Sequence, residues 1–284
     1  MDFSCEGAQL YIPDGLNVAE ALSRTTHIGI GAHQDDLEIM AYDGILKCFQ
    51  RDDQWFTGVT VTDGRGCPTR TGVYADYDDD DMINVRNKEQ KKAADVGEYS
   101  AQFLLNHPSS NAKSSDSAPV VNDYVHILKA TMPEVVYTHN LADKHDTHVG
   151  LAIKLIEAIR SLPKDERPKK IYGCEVWRDL DWLVDSDKVA FDVSEHPNMQ
   201  MSLVAVFDSQ NSGGKRYDLA TQGRCRAHAT YHESHGIDET TGTIFAMDLT
   251  PLIEDDSIDS LEYTIAHIER LSNDVEDRFG RVGG

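Results

Sequence analysis

Residues 27–32, "HIGIGA", form a short apolar run. Behind it, small or apolar side chains stand at Leu37, Met40, Ala41, Gly44, Ile45 and Cys48. That i, i+3, i+4, i+7 spacing predicts a helix with one buried face directly after a buried strand. The β-branched stretch "WFTGVTVT" (55–62) predicts a second strand. A long polar loop follows, and 86–105 and "VNDYVHILKATM" read as helices. "EVVYTHN" (134–140) reads as a strand, "LAIKLIEAIRSL" as a helix, and 169–177 and 188–194 as strands. "MQMSLVAVFDSQ" (199–210) and "LEYTIAHIERLSNDVEDRF" fit helices. Strands alternating with helices predict βαβ units, hence an α/β fold with a mostly parallel sheet flanked by helices.

In such sheets ligands bind beyond the carboxyl ends of strands. Chemically loaded loops stand at several predicted strand ends: 31–38, 63–72, 139–148 and the stretch "VWRDLDW".

Charge and cysteine usage narrow the function classes. With 49 acidic against 27 basic residues the net charge is −22, a surface that repels phosphate backbones. Nucleic acid is therefore excluded as a partner, and solubility is the simplest reading, with a salt-adapted source as the other. There is no apolar run of 18 residues, so no membrane span is expected, and the N-terminus lacks a signal pattern. Cys5, Cys48, Cys67, Cys174 and Cys225 are odd in number and form no CxxC pair, which fits reduced thiols and a cytoplasmic location. At 284 residues the chain suits one domain.

Among these loops "GAHQDDLEIMAYDG" raises a physical question, because adjacent aspartates at a buried strand end repel each other. His33 and Asp36 are three apart at a strand-to-helix turn, and His145 and His148 are three apart in "HDTH". Residues at i and i+3 can face one point. Two histidines and a carboxylate are a common set for a catalytic zinc that leaves a position for water. Adjacent aspartates become tolerable when one binds the cation and the other accepts a proton. The competing reading is that Asp35 or Asp36 caps the helix starting near Leu37. Co-occurrence of the two motifs at separate strand ends favours the metal.

Other positions carry weaker signals. Arg70 presents forked donors suited to an anionic or hydroxyl-bearing substrate. Arg86 reads better as a surface ion pair. Trp177, Arg178 and Trp182 follow a strand; core packing is preferred for the tryptophans over a sugar platform, and Arg178 is a candidate substrate contact. His228, His232 and His235 read as a surface or secondary group, and "DYDDDD" (76–81) as a solvated loop lacking the Gly and Glu of an EF-hand.

These segments resemble a known family. "GAHQDDLEIMAYDG" resembles the "AHPDDxExxxGG" signature of the PIG-L (LmbE-like) zinc-dependent de-N-acetylases, and "HNLADKHDTHVG" resembles their "HNPxDxHPDHxA" segment. "VTDGRGCPTRTG", "VRNKEQKKAADVGEY" and "FDVSEHPNMQMSLVAVFDSQ" resemble, in order, the "LTxGExGTRG", "RxxEAxxAAxxLG" and "VDISEHxxxKxxALxxYxSQ" stretches. The likeness runs from about residue 27 to 210. It implies a Rossmann-like LmbE-like domain across 1–284, with a less informative C-terminal extension from about 215.

The resemblance implies His33, Asp36 and His148 as zinc ligands and Asp35 as general base. His145 would stabilise the oxyanion or protonate the leaving amine, and Arg70 would bind substrate. Gln34, Asp146-Thr147 and Arg65 depart from the family's proline, Pro-Asp and glutamate, which leaves Arg65 to face the group attached to the sugar. The expected activity is removal of acetate from an N-acetylglucosamine-type sugar or glycoconjugate, with one Zn2+, or another divalent metal, per chain. A homo-oligomer is compatible with it. Two alternatives stay open: a non-catalytic sugar- or metal-binding protein, which Asp35 argues against, and a different metal hydrolase, such as an esterase or phosphatase, using the same site.

Overall fold

A computed structural model describes residues 1–66 and 70–283. Its strands are β1 (Gln9–Tyr11), β2 (His27–Gly31), β3 (Phe56–Thr62), β4 (Ala101–His107), β5 (Val135–His139), β6 (Lys170–Cys174), β7 (Lys188–Asp192) and β8 (Thr243–Asp248). The helices are α1 (Val18–Ser23), α2 (Asp36–Met40), α3 (Tyr42–Cys48), α4 (Asp79–Val96), α5 (Ser109–Lys113) and α6 (Ala118–Thr131). They continue with α7 (Asp146–Arg160), α8 (Pro197–Ala205), α9 (Asp208–Asn211), α10 (Tyr217–Tyr231), α11 (Pro251–Glu254) and α12 (Ser260–Arg281). All eight strands join one sheet in the order β1-β4-β3-β2-β5-β6-β8-β7. The central five, β4-β3-β2-β5-β6, run parallel, while β1 and β8 pair antiparallel with their neighbours.

The chain leaves β2 towards β3 on one side and reaches β5 on the other, so the strand order reverses at β2. The crevice beyond the carboxyl ends of β2 and β5 is the switch point where such sheets hold ligands. Both faces are covered. Leu151, Leu155 and Ile159 of α7 and Tyr124 and Leu128 of α6 pack with Phe103 and Phe245 on one face. Leu37, Met40, Leu203 and Phe207 pack with Phe56, Tyr99 and Tyr137 on the other. Every residue of β2 and β3 is buried, as parallel central strands require. Gly31 lets the following turn lie close, since a Cβ there would sit 3.0 Å from the Asp36 Cβ.

Several expectations change. The predicted helix 86–105 is two elements: α4 starts earlier and ends at Gly97, Glu98 takes a left-handed φ of 54°, and 101–107 is the strand β4. The acidic run is a helix start and not a solvated loop. The Asp78 carboxylate accepts from the Asp81 N–H at 2.8 Å and Asp81 accepts from the Asp78 N–H, so the acids cap α4 and face its positive end. β1, β8 and α10 lie in stretches whose pattern predicted no element. Residues beyond 215 supply β8, which sits between β6 and β7. His228 is buried, its Nε2 3.0 Å from the Glu175 carboxylate, with His232 half-buried and His235 exposed. Trp182 packs against the core as expected. Cys48, Cys174 and Cys225 are buried free thiols and Cys5 is half-buried; Cys67 lies outside the described residues. Among the described residues no helix is long and apolar enough to cross a membrane.

Candidate metal centre and active site

At the end of β2 the chain turns sharply so that two carboxylates follow the strand at once. Asp36 ties the turn by accepting the His33 N–H on Oδ2 at 2.6 Å. Asp35 occupies the helix N-cap position but makes no capping hydrogen bond, and it holds φ at 97°. The capping explanation therefore fails for Asp35: a buried, left-handed, uncapped aspartate is a cost that sites of chemistry tolerate. On the facing loop Asp143 orders both histidines. It accepts the His145 N–H at 3.0 Å on Oδ1, while Oδ2 stands 3.4 Å from His148 Nδ1 and accepts the Trp177 N–H at 3.2 Å.

Three ligand-type atoms meet between these loops. His33 Nδ1 is 3.2 Å from His148 Nε2 and 3.3 Å from Asp36 Oδ2, and His148 Nε2 is 3.5 Å from the same oxygen. An ion bound tetrahedrally at about 2.0–2.1 Å places its ligand atoms about 3.3–3.4 Å apart. The chain's own side chains thus match a tetrahedral cation of that size. His145 also belongs to a cluster with His33 and His148, and His139 to one with Asp36 and His148. His139 fits a ligand less well. Its Nε2 accepts the Ala32 N–H at 2.9 Å, so that lone pair is engaged and is not free for a cation. His139 instead stacks on His148, centroids 3.8 Å apart, and backs the ring.

The two aspartates are driven apart electrostatically. Burial and the neighbouring Asp36 charge push the Asp35 carboxyl well up. Burial would raise Asp36 too, but the surrounding His148, His139 and His33 side chains hold it well below the usual carboxylate range. Burial, with His139 next, depresses His148 to about 4, so it presents a neutral ring suited to a cation. Burial and the His33 charge also lower His145. Two carboxylates with opposed protonation behaviour are the usual sign of divided acid–base labour.

The centre opens into a cavity of about 580 Å³. His33, Asp35, Asp36 and His145 line it, and so does Arg65, whose Nε donates to Asp63 at 2.7 Å. The other two candidate substrate contacts are elsewhere. Arg70 turns its guanidinium to the Tyr77 carbonyl and the Asp79 carboxylate, Arg178 is exposed, and neither lines the cavity. Arg86, read as a surface ion pair, is buried at 4% exposure, lines the cavity and donates to the Gly64 carbonyl. Gly64 has φ 72°, and a Cβ there would stand 2.4 Å from Gln34 Oε1 and 2.9 Å from Arg86 Cδ, so glycine is what lets the arginine pass. Trp177 is a wall of the cavity and not core. His139, Asp143, Arg86, Gln210 and Lys215 are contributors the sequence reading missed. His139 and Asp143 stood in view inside "HNLADKHDTH", but spacing alone gave them no partner.

The fold and this cluster define an α/β protein, a mostly parallel sheet flanked by helices, with a candidate metal centre at its switch point. Residues 28–159 match the family model described as PIG-L: GlcNAc-PI de-N-acetylase. No curated protein matches the sequence. Among solved structures, N,N'-diacetylchitobiose deacetylase from Pyrococcus horikoshii is 15% identical, with 82% of this chain and 86% of that one covered and a TM-score of 0.61. The 4-carboxy-2-hydroxymuconate hydratase GalB from Pseudomonas putida is 14% identical, with 79% and 95% covered and a TM-score of 0.61. The A40926 pseudoaglycone deacetylase Dbv21 is 16% identical, with 79% and 97% covered and a TM-score of 0.56. Identities this low establish the shared fold, and that fold serves both deacetylases and a hydratase.

Proposed function

We propose that the chain is a divalent-metal-dependent N-deacetylase, with zinc as the metal, acting on an N-acetylglucosamine-type sugar or glycoconjugate. The observation that carries this reading is the triangle of His33 Nδ1, Asp36 Oδ2 and His148 Nε2, with the uncapped Asp35 beside it. His33, Asp36 and His148 would hold the ion, which supplies Lewis acidity towards the amide carbonyl and towards water.

The chain's own groups do the rest. Asp35, pushed up by burial and by Asp36, is a stronger base than an ordinary aspartate and stands where it can act as the general base. It takes a proton from the water whose oxygen bonds to the acetamide carbon. His145, with its ring at the cavity and its backbone fixed by Asp143, faces the developing oxyanion and the amide nitrogen. Its lowered pKa means it starts neutral; it relays to the nitrogen the proton that Asp35 removed from water as the C–N bond breaks, which returns Asp35 to its ionised form. Acetate and a free amine leave. Arg86 keeps a cation beside Asp35 and ties the Gly64 carbonyl at the cavity wall.

The test is product analysis with a panel of N-acetylated sugars. Acetate and primary amine should appear in equal amounts. Hydration of an unsaturated acid without acetate release from any N-acetyl sugar would overturn the reading in favour of hydratase chemistry.

A further inference from the structure

The chain carries 49 acidic and 27 basic residues, yet the mouth of this cavity gathers cations. Lys113, the last residue of α5, and Lys215, between α9 and α10, both line it. Lys144, from the β5–α7 loop, and Lys215 stand over the Trp177 ring, with Nζ 5.8 and 5.2 Å from its centroid, inside cation–π range. Among the described residues none of the three has a carboxylate partner, whereas Lys47, Lys92, Lys169, Lys170 and Lys188 each do. Of the three carboxylates that line the cavity, Asp36 is engaged by histidines and Asp63 by Arg65, and Asp35 lies in the field of Arg86. Three ammonium groups, one from the end of α5 and two from loops, repel one another, and the cavity is roomy enough to hold more than an acetamide and its ring.

We propose that the substrate carries an anionic group, a carboxylate or a phosphate ester, attached to the N-acetylated sugar and held by Lys113, Lys215 and Lys144 around Trp177. This rests on the deacetylase reading and names the class of substrate within it. The metal end takes the acetamide, and the lysine end takes the anion. In so acidic a protein the same lysines also provide the local attraction that brings an anion past a repelling surface.

The experiment compares three ligands: neutral methyl N-acetylglucosaminide, N-acetylglucosamine 1-phosphate and carboxymethyl N-acetylglucosaminide. Binding is followed by calorimetry and by quenching of tryptophan fluorescence, and turnover is followed by acetate release. At low salt at least one anionic ligand should bind about tenfold or more tighter than the neutral one, and the better of the two identifies the anion. The preference should shrink as salt is raised, because the lysines are exposed. In the Lys113→Ala/Lys215→Ala protein the ratio of anionic to neutral affinity should fall at least about fivefold. Lys113→Arg/Lys215→Arg, which keeps both charges, should restore most of it. Equal binding of all three ligands, binding of none, or an unchanged ratio in the alanine variant overturns the proposal. Anion-selective binding without acetate release would instead leave the proposal standing and remove the deacetylase reading.

Discussion

Replacing Asp35 with asparagine should stabilise the metal-free protein while it removes turnover. Asp35 is 5% exposed, has no capping bond, and sits beside a second buried carboxylate. Asparagine is nearly isosteric and is among the residues that best tolerate the φ of 97° held there, so the backbone gains no new strain. What disappears is a buried charge disfavoured by desolvation and by Asp36. Relieving one poorly compensated buried polar group is worth about 1–3 kcal/mol. In a chain of this size that raises Tm by about 2–6 °C. The sign follows from linkage. A carboxyl raised in the folded state costs stability as pH rises above its unfolded value, so the gain should be present at pH 7 and vanish below about pH 4, where Asp35 is protonated in both states. Added cation should also reduce the gain, because a positive charge compensates the aspartate of the parent. Turnover should drop by about 10²–10⁴, the usual contribution of a general base. Urea unfolding at pH 7 and pH 4, with and without chelator, and acetate release give the numbers. A metal-free variant less stable than its parent at pH 7, or one keeping more than about a tenth of its turnover, would refute the role assigned to Asp35.

Asp143→Asn turns an amide donor towards His148 Nδ1 and the Trp177 N–H, so metal affinity should weaken about 10–100-fold in a chelator competition. Arg86→Met should lower kcat/KM by about tenfold or more, and Arg70→Ala by less than about threefold, because only Arg86 lines the cavity. His27 is buried with its pKa depressed to about 4, chiefly by burial and then by Lys47. Its stability contribution is complete above the unfolded value of about 6.5 and is lost as pH falls towards 4, up to about 3 kcal/mol. His27→Phe should flatten the pH dependence of unfolding over that window.

The central strands and the two loaded loops were legible because parallel strands buried on both faces must be apolar and the turns after them are short. His33, Asp36 and His148 were visible by residue type and spacing, and the structure brings their ligand atoms within 3.5 Å. β4 escaped because 101–105 continues the apolar count of the helix before it, and only Gly97 and the left-handed Glu98 mark the break. The run 76–81 looked like a loop because acidic composition does not reveal which carboxylate caps which amide. Arg70 and Arg86 exchanged expected places for a related reason. Pattern tells that a guanidinium is present, but Arg86 reaches the cavity only through the positive φ of Gly64, a three-dimensional condition. The lysine mouth draws on one helix end and two loops far apart in sequence, so no local pattern announces it.

The most direct measurement is a crystal of the zinc-loaded protein read by anomalous scattering at the zinc edge. The account predicts one strong peak about 2.0–2.2 Å from each of His33 Nδ1, Asp36 Oδ2 and His148 Nε2, lost in His148→Ala. A peak held by His145 in place of Asp36, or no peak at all, would contradict it.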